Sequence, residues 1–182
     1  KCWGTNGYGQ LGLGHTNTLG DEPGEMGDNL PRLDLGGEDA KKIDVRNHSC
    51  AEVDGIIKCW GYNHLGHLGI GTTDYVGDEP GEMGDNLTAV DFGTGGSPGS
   101  LTVGYNHTCA ARSAAGYWIQ CWGGNGFGQL GVGHYNTLGD EPGEMGNNLP
   151  WFLDGPFGSS TAIDNVNAGQ YHTCARFQDG SA

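Results

Sequence analysis

The sequence predicts an all-β protein made of three tandem, four-stranded, blade-like sheets. Three observations lead to this fold class. The chain repeats itself three times, and no stretch of it has sustained helical periodicity. Glycine accounts for 37 of the 182 residues, whereas proline accounts for only 7. Short strands joined by many tight turns explain this composition better than a collagen-like or proline-rich chain does.

Each copy of the repeat contains the tripeptide CWG, which places cysteines at Cys2, Cys59 and Cys121, 57 and 62 residues apart. The pattern xNxxGxLGxGxxxxxGDEPGEMG follows, and the aspartate of GDEP always lies 19 residues after the cysteine. Between the CWG cysteine and the acidic loop the length is constant, so the copies differ in length only after that loop, where insertions are tolerated. The predicted repeats are therefore residues 1–58, 59–120 and 121–182.

Four short strands are expected in each copy. KCWG forms the first strand, and QLGLG, whose glycines mark bends, forms the second. The third strand follows the acidic loop, in LPRLDLG, LTAVDFG and PWFLDG. The fourth leads into the HSC or HTC motif. Four short strands in about 60 residues, repeated in tandem, are typical of a propeller blade or of a solenoid of β-sheets.

The sequence resembles the regulator of chromosome condensation repeat family. The residues that carry the resemblance are CWGxNxxGQLGxG, GDEPGEMGDNLP and HTCA, ending in DGxxKCWG, and they extend over essentially the whole chain. The resemblance implies blades of the β-propeller type. The best-known family members form seven-bladed propellers, of which some are exchange factors for a small GTPase and others are scaffolds. This version, with CWG and HTCA, looks most like the extracellular repeats of bacterial or algal type. No motif of an exchange-factor surface is found here, so no catalytic residue is carried over.

Composition and charge narrow the classes of function. Asp and Glu outnumber Lys and Arg by 22 to 8, and the formal net charge is −14. A nucleic-acid partner and an anionic membrane surface both call for a basic patch, so neither is expected. No apolar run has the length of a transmembrane helix, and no membrane insertion is expected.

The cysteines fall into two classes whose spacing predicts hairpin disulfides. Between Cys50 and Cys59 the midpoint falls between Asp54 and Gly55, a favoured two-residue hairpin turn, so the two cysteines face each other. Between Cys109 and Cys121 the midpoint gives the three-residue loop 114–116, which ends in glycine. One alternative is that all six cysteines are buried, unpaired thiols. The other is a zinc site, which is disfavoured because the sequence has neither a Cys-x-x-Cys nor a two-cysteine, two-histidine spacing. Disulfides would indicate an oxidising, extracellular or cell-surface setting.

Cys2 and Cys174 are left unmatched at opposite ends of the sequence. Written end to start, HTCARFQDGSA and KCWG make the same hairpin again, with the loop at 178–180. Three explanations fit. The sequence could be a segment of a longer repeat array, it could be a subunit that docks head to tail with copies of itself, or its own two ends could meet in a closed ring. A closed disc of three blades is disfavoured, because propellers have at least four. An open or head-to-tail array is therefore expected.

The acidic loop is the segment most alike between copies. Glu-Pro-Gly-Glu is a type II turn signal, which favours a structural acidic turn. Calcium is the alternative, because carboxylate oxygens bind it, although the spacing matches neither the EF-hand nor the nonapeptide calcium repeat and Asn147 replaces an aspartate of the other copies. The candidate carboxylates are Asp21, Glu22, Glu25, Asp28, Asp78, Glu79, Glu82, Asp85, Asp140, Glu141 and Glu144.

Two further sets of residues carry weaker signals. His48, His107 and His172 precede the cysteines at fixed spacing, and no nucleophile and acidic partner recur with them, so they are interpreted as hydrogen-bonded structural residues. Three Asn-x-Ser/Thr sequons are candidate N-glycosylation sites: Asn47, Asn86 and Asn106.

Taken together, these patterns predict a structural, non-catalytic repeat protein that associates head to tail in a fibre or tandem array. The rival is a fragment of a closed seven-bladed propeller that acts as an interaction scaffold or exchange-factor-like module. A calcium- or glycan-binding adhesive module is a weaker alternative.

Overall fold

A computed structural model describes residues 1–38, 40–94, 98–112, 118–151, 163–177 and 181. Within these ranges the protein is all-β, and its only helical segments are two 3-10 turns, Gly84–Asn86 and Gly146–Asn148. Neither has the length or the apolar character needed to cross a bilayer. The predicted all-β class is therefore confirmed.

Eight strands form three antiparallel sheets along the described part of the chain. The first two sheets have three strands in the order β1-β2-β3 and β4-β5-β6, and the third pairs β7 with β8. The strands are β1 (Ala40–Val45), β2 (His48–Val53), β3 (Ile56–Gly61), β4 (Pro98–Val103), β5 (His107–Arg112), β6 (Ile119–Gly123), β7 (Ile163–Ala168) and β8 (Thr173–Phe177).

The β2–β3 hairpin turns at the predicted residues. Asp54 and Gly55 have φ values of 50° and 83°, as the two central residues of a type I′ turn require. The backbone twist of this turn type matches the twist of the two strands that it joins. The resulting register places Cys50 opposite Cys59 and Val53 opposite Ile56, as the spacing predicts. In the next sheet Cys109 faces Cys121, which also agrees. The predicted loops at 114–116 and 178–180 lie outside the described residues.

The predicted second strand, QLGLG, is wrong: residues 10–14 and their counterparts at 67–71 are turns and bends. An asparagine side chain organises this segment. Asn63, fully buried, accepts a hydrogen bond from Leu68 N–H at 2.9 Å and donates to the carbonyls of Thr72 and Asp74 at 2.8 Å. The backbone is satisfied by this side chain rather than by a neighbouring strand.

The other strand predictions hold in part. The CWG tripeptide lies in a strand at its second and third occurrences, within β3 and β6, but residues 1–4 make only the isolated bridge Gly4–Leu19. After the acidic loop, Ala89 makes an isolated bridge to Lys58, and residues 30–36 form no strand. Among the described residues no copy shows four strands; residues 152–155 of the predicted strand PWFLDG lie outside them. At each HSC or HTC motif two strands are seen rather than one, and the second of them contains the cysteine.

The sheets extend across the predicted repeat boundaries, because β3 begins at Ile56 and contains Cys59. Each complete sheet thus combines two strands of one copy with the CWG strand of the next. Apolar side chains fill the space between neighbouring sheets. The first such core includes Leu68, Val103, Trp122 and Leu149, all fully buried, and a second joins the second sheet to Val166 of β7.

Candidate functional site

Two disulfides close the hairpins of the first two sheets. Cys50 is bonded to Cys59 and Cys109 to Cys121, and all four residues are buried. Each bond joins the HSC or HTC strand of one copy to the CWG strand of the next copy. The disulfides therefore connect consecutive repeats, in addition to the peptide backbone.

A histidine–hydroxyl hydrogen bond joins each repeat to the following one. His48 Nε2 lies 2.7 Å from Thr108 Oγ1, and His107 Nε2 lies 2.9 Å from Thr173 Oγ1. Both histidines are fully buried. These contacts give His48 and His107 the structural role that the sequence predicts. The hydroxyl partner was not predicted, although a Ser or Thr follows the histidine in every copy.

The tryptophan of the second and of the third CWG tripeptide each binds a backbone carbonyl of the preceding copy. Trp60 Nε1–H donates to Gln10 O at 3.0 Å, and Trp122 Nε1–H donates to His67 O at 2.9 Å. Both indoles are fully buried. Gln10 and His67 each lie eight residues after their own CWG cysteine, so the two contacts are equivalent.

The hydroxyl side chains bind the same carbonyls. Ser49 Oγ donates to the Gln10 carbonyl at 2.9 Å, and Thr108 Oγ1 donates to the equivalent carbonyl of residue 67 at the same distance. In the third copy Thr173 Oγ1 donates to Gln129 O at 2.8 Å. The third carbonyl thus accepts the same hydroxyl hydrogen bond as the first two.

Glycines make room for the buried indoles. A Cβ atom on Gly12 would lie 2.7 Å from Trp60 Nε1, and one on Gly69 would lie 2.6 Å from Trp122 Nε1. Both glycines also have a positive φ, near 66°. The recurring LGxG pattern therefore marks the point where the tryptophan of the next repeat contacts the backbone. No role for this tryptophan was predicted from the sequence.

Each acidic loop is organised by its last glutamate. Glu82 Oε2 accepts backbone N–H bonds from Gly77, Asp78 and Glu79 at 2.7, 3.1 and 3.0 Å. Glu25 and Glu144 do the same in their copies. Bonds from the amides of Glu22 and Gly20 lower the pKa of Glu25. One carboxylate oxygen of each loop is therefore used by the backbone, which supports the structural interpretation of the turn.

The acidic loops of the second and third copies pack on the preceding copy. Gly14 N–H donates to Gly77 O at 3.0 Å, and Gly71 N–H donates to Gly139 O at 3.1 Å. Burial raises the pKa values of Asp78 and Asp140 in these loops. Nowhere in the described ranges do three or more His, Cys, Asp or Glu side chains form a group that could hold a metal ion.

The candidate sequons lie in different environments. Asn86 is exposed, but its Nδ2 atom donates to Gly81 O at 2.8 Å, and Asn29 and Asn148 make the same bond in their copies. Asn47 and Asn106 are half-buried just before β2 and β5. A glycan would replace one of the two Nδ2 hydrogens, so a glycosylated Asn86 would keep one N–H that can donate to Gly81 O.

The third sheet presents an edge that the first two sheets cover. The strands β2 and β5 are fully buried, whereas β8 has alternating half-buried and exposed residues, and Cys174 on β8 is an exposed free thiol. No described strand pairs with its outer edge. A groove of about 480 Å³ runs beside β8, lined by Ile119, Leu130, Gly131 and the Cys174 strand among others.

In the first copy, residues that correspond to buried residues of the later copies are exposed. Trp3 is 61% exposed, although its counterparts Trp60 and Trp122 are fully buried. Met26, the counterpart of buried Met145, is also exposed. Cys2 is a half-buried free thiol, and this burial raises its pKa. The predicted partners Cys2 and Cys174 are thus both unbonded in the single chain.

Comparison with solved structures identifies a fold but no family. No family model matches the chain. Human WBSCR16 superposes with a TM-score of 0.66 at 17% identity, over 97% of this chain and 39% of that one. A chain of the crystal structure of Kap60 bound to yeast RCC1 (Prp20) gives a TM-score of 0.52 at 22% identity, over 78% and 28% of the two chains. The sequence thus spans about two-fifths of the first protein and less than a third of the second, and its fold is of the RCC1-like propeller type.

Proposed function

We propose that this chain is a structural, non-catalytic repeat module whose units associate head to tail in an extracellular or cell-surface array. One observation carries the proposal. The same histidine, tryptophan and glycine contacts join the first copy to the second and the second to the third. At the two ends, Trp3 is exposed and the outer edge of β8 has no described strand. The residues that join one copy to the next are thus exposed in the first and third copies, where they can make the same contacts with a further copy.

The same proposal assigns four strands to each of three blades. Bridges beside β3 support a fourth strand position: Lys58 bridges Ala89, and Val90 N–H donates to Ile57 O at 2.8 Å. The two disulfides support an oxidising compartment, since such bonds persist outside the reducing cytosol.

Electron microscopy of the purified chain, together with reducing and non-reducing electrophoresis, tests this function. Filaments with an axial period of three repeats, and disulfide-linked ladders that collapse on reduction, are the expected result. Discrete monomers at high protein concentration under oxidising conditions would contradict the array.

A second candidate is an arc of a closed propeller that serves as an interaction scaffold or exchange-factor-like module. The fold likeness to larger RCC1-like proteins favours it, since this chain spans about two-fifths of one of them. The mass of the protein isolated from its source separates the two candidates. A single chain of about seven repeats would favour the closed propeller. A calcium- or glycan-binding module is the weaker alternative, and a calcium-dependent rise in Tm would support its calcium form.

A further inference from the structure

The uncovered edge of β8 carries a more specific inference. We propose that the groove beside β8 is a receptor for the Cys-Trp-Gly strand of a second copy of this chain, with the indole of Trp3 inserted in the groove and Cys2 bonded to Cys174. The proposal rests on the head-to-tail association proposed above and identifies the residues that make it.

The carbonyl of Gln129, beside β8, is a hydrogen-bond acceptor that an indole could use. Each buried indole donates to a carbonyl that also receives a hydroxyl from the HSC or HTC motif. At the third site Thr173 already donates to Gln129 O, and no described indole does so. A carbonyl oxygen has two lone pairs, so Gln129 O has room for Trp3 Nε1–H.

The space around that carbonyl is open. Gly131 lines the groove and corresponds to Gly12 and Gly69, where a Cβ would collide with an indole. A Cβ on Gly133 would meet nothing within 4 Å, whereas its counterparts Gly14 and Gly71 contact the acidic loop of the next copy. The third copy therefore has the recess without the residues that fill it elsewhere.

The strand register of the first sheet also fits β8. In the first sheet Ser49 faces Trp60, Cys50 faces Cys59 and His48 faces Gly61. The same register on β8 places Trp3 opposite Thr173, Cys2 opposite Cys174 and Gly4 opposite His172. The two free cysteines of the chain are thus the pair that this docking brings together.

The covalent step is a thiol–disulfide exchange with a small-molecule disulfide such as oxidised glutathione. One cysteine thiolate attacks the reagent and releases a thiolate, and the second cysteine thiolate then displaces the other half from the mixed disulfide. One S–S bond forms between Cys2 and Cys174 and one breaks in the reagent. The two cysteines are oxidised, the reagent is reduced to two thiols, and the two released thiolates take up the two protons.

Two chains with one free cysteine each test the site without polymerisation. Cys2→Ser retains only the receptor thiol, and Cys174→Ser retains only the inserting thiol. In a glutathione redox buffer each forms no Cys2–Cys174 bond alone, and the mixture is expected to form a heterodimer whose Cys2–Cys174 linkage appears in peptide mass spectrometry. No heterodimer, or an intrachain Cys2–Cys174 bond in monomeric wild-type chain, would overturn the proposal.

A matched pair of variants separates insertion of the indole from chance collision of thiols. Adding Trp3→Ala to the inserting chain should lower heterodimer formation by about 30-fold or more, as expected for a buried aromatic anchor. Replacing the exposed Tyr135, which has no part in the docking, should leave it unchanged. Equal yields with and without Trp3 would refute the receptor assignment.

A short peptide makes the outcome independent of the array. A peptide of residues 1–6 should be captured at Cys174 of the Cys2→Ser chain, and its Trp3→Ala form should not. Capture without filaments of the wild-type chain would support the receptor and contradict the array. Filaments that persist in a Cys2→Ser, Trp3→Ala chain would support the array and overturn this receptor.

Discussion

Acid should weaken the repeat-to-repeat contact made by His107. Burial, followed by the nearby His172, lowers the pKa of His107 from 6.5 to about 4. Because the folded pKa lies below the unfolded value, the stabilisation is fully present above pH 6.5 and is lost as the pH falls toward 4. Linkage gives a loss of about 2 kcal/mol in the free energy of unfolding at pH 5 from this residue alone.

Urea unfolding at pH 7.5 and pH 5 measures this loss. In His107→Gln, which removes the titrating group, the difference in unfolding free energy between the two pH values should be about 2 kcal/mol smaller than in wild type. The control is His134→Gln, at an exposed position. A pH dependence in His107→Gln equal to that of wild type would refute the reasoning. His67, whose pKa is also lowered to about 4, and His48 contribute further loss in the same direction.

Three other predictions concern the contacts between repeats. Trp122→Ala should lower the free energy of unfolding by about 3–5 kcal/mol, whereas Trp3→Ala, at an exposed indole, should change it by less than about 0.5 kcal/mol; chemical denaturation of both variants checks the contrast. Gly69→Ala should cost about 2–4 kcal/mol because the new Cβ meets the Trp122 indole, whereas Gly133→Ala should cost only about 1 kcal/mol of backbone strain; equal losses would contradict the proposed space requirement. Reduction of the hairpin disulfides should cost about 2–3 kcal/mol for each bond and lower Tm; an unchanged Tm after complete reduction, verified by mass spectrometry, would contradict a stabilising role.

The hairpins could be predicted from sequence because their determinants are local. The Asp54-Gly55 turn sets the register, and the register places Cys50 and Cys59 opposite each other. The QLGLG segment was wrongly predicted as a strand because its alternating pattern is also typical of a strand. In the structure its backbone is instead bonded to the side chain of the buried asparagine. That side chain satisfies amides and carbonyls five to eleven residues away, which periodicity alone does not indicate.

The contacts between copies were the least predictable part of the site. The bond from Trp60 Nε1 to Gln10 O joins residues 50 positions apart. Its acceptor is a backbone carbonyl, which every residue has, so the sequence does not mark that position. The glycine that admits the indole does leave one, since it recurs ten residues after each CWG cysteine. A fixed glycine beside a fixed tryptophan was the signal that could have located this contact.

The offset between sequence repeat and sheet gives any such assembly a polarity. Each three-stranded sheet takes its third strand from the copy that follows. The two ends therefore differ chemically, because one has an exposed indole and the other has an open groove and an exposed free thiol. Proteases and chaperones would encounter two different surfaces, and loss of units would begin at the ends rather than within the assembly. A single capping molecule that fills the groove would arrest growth in one direction only.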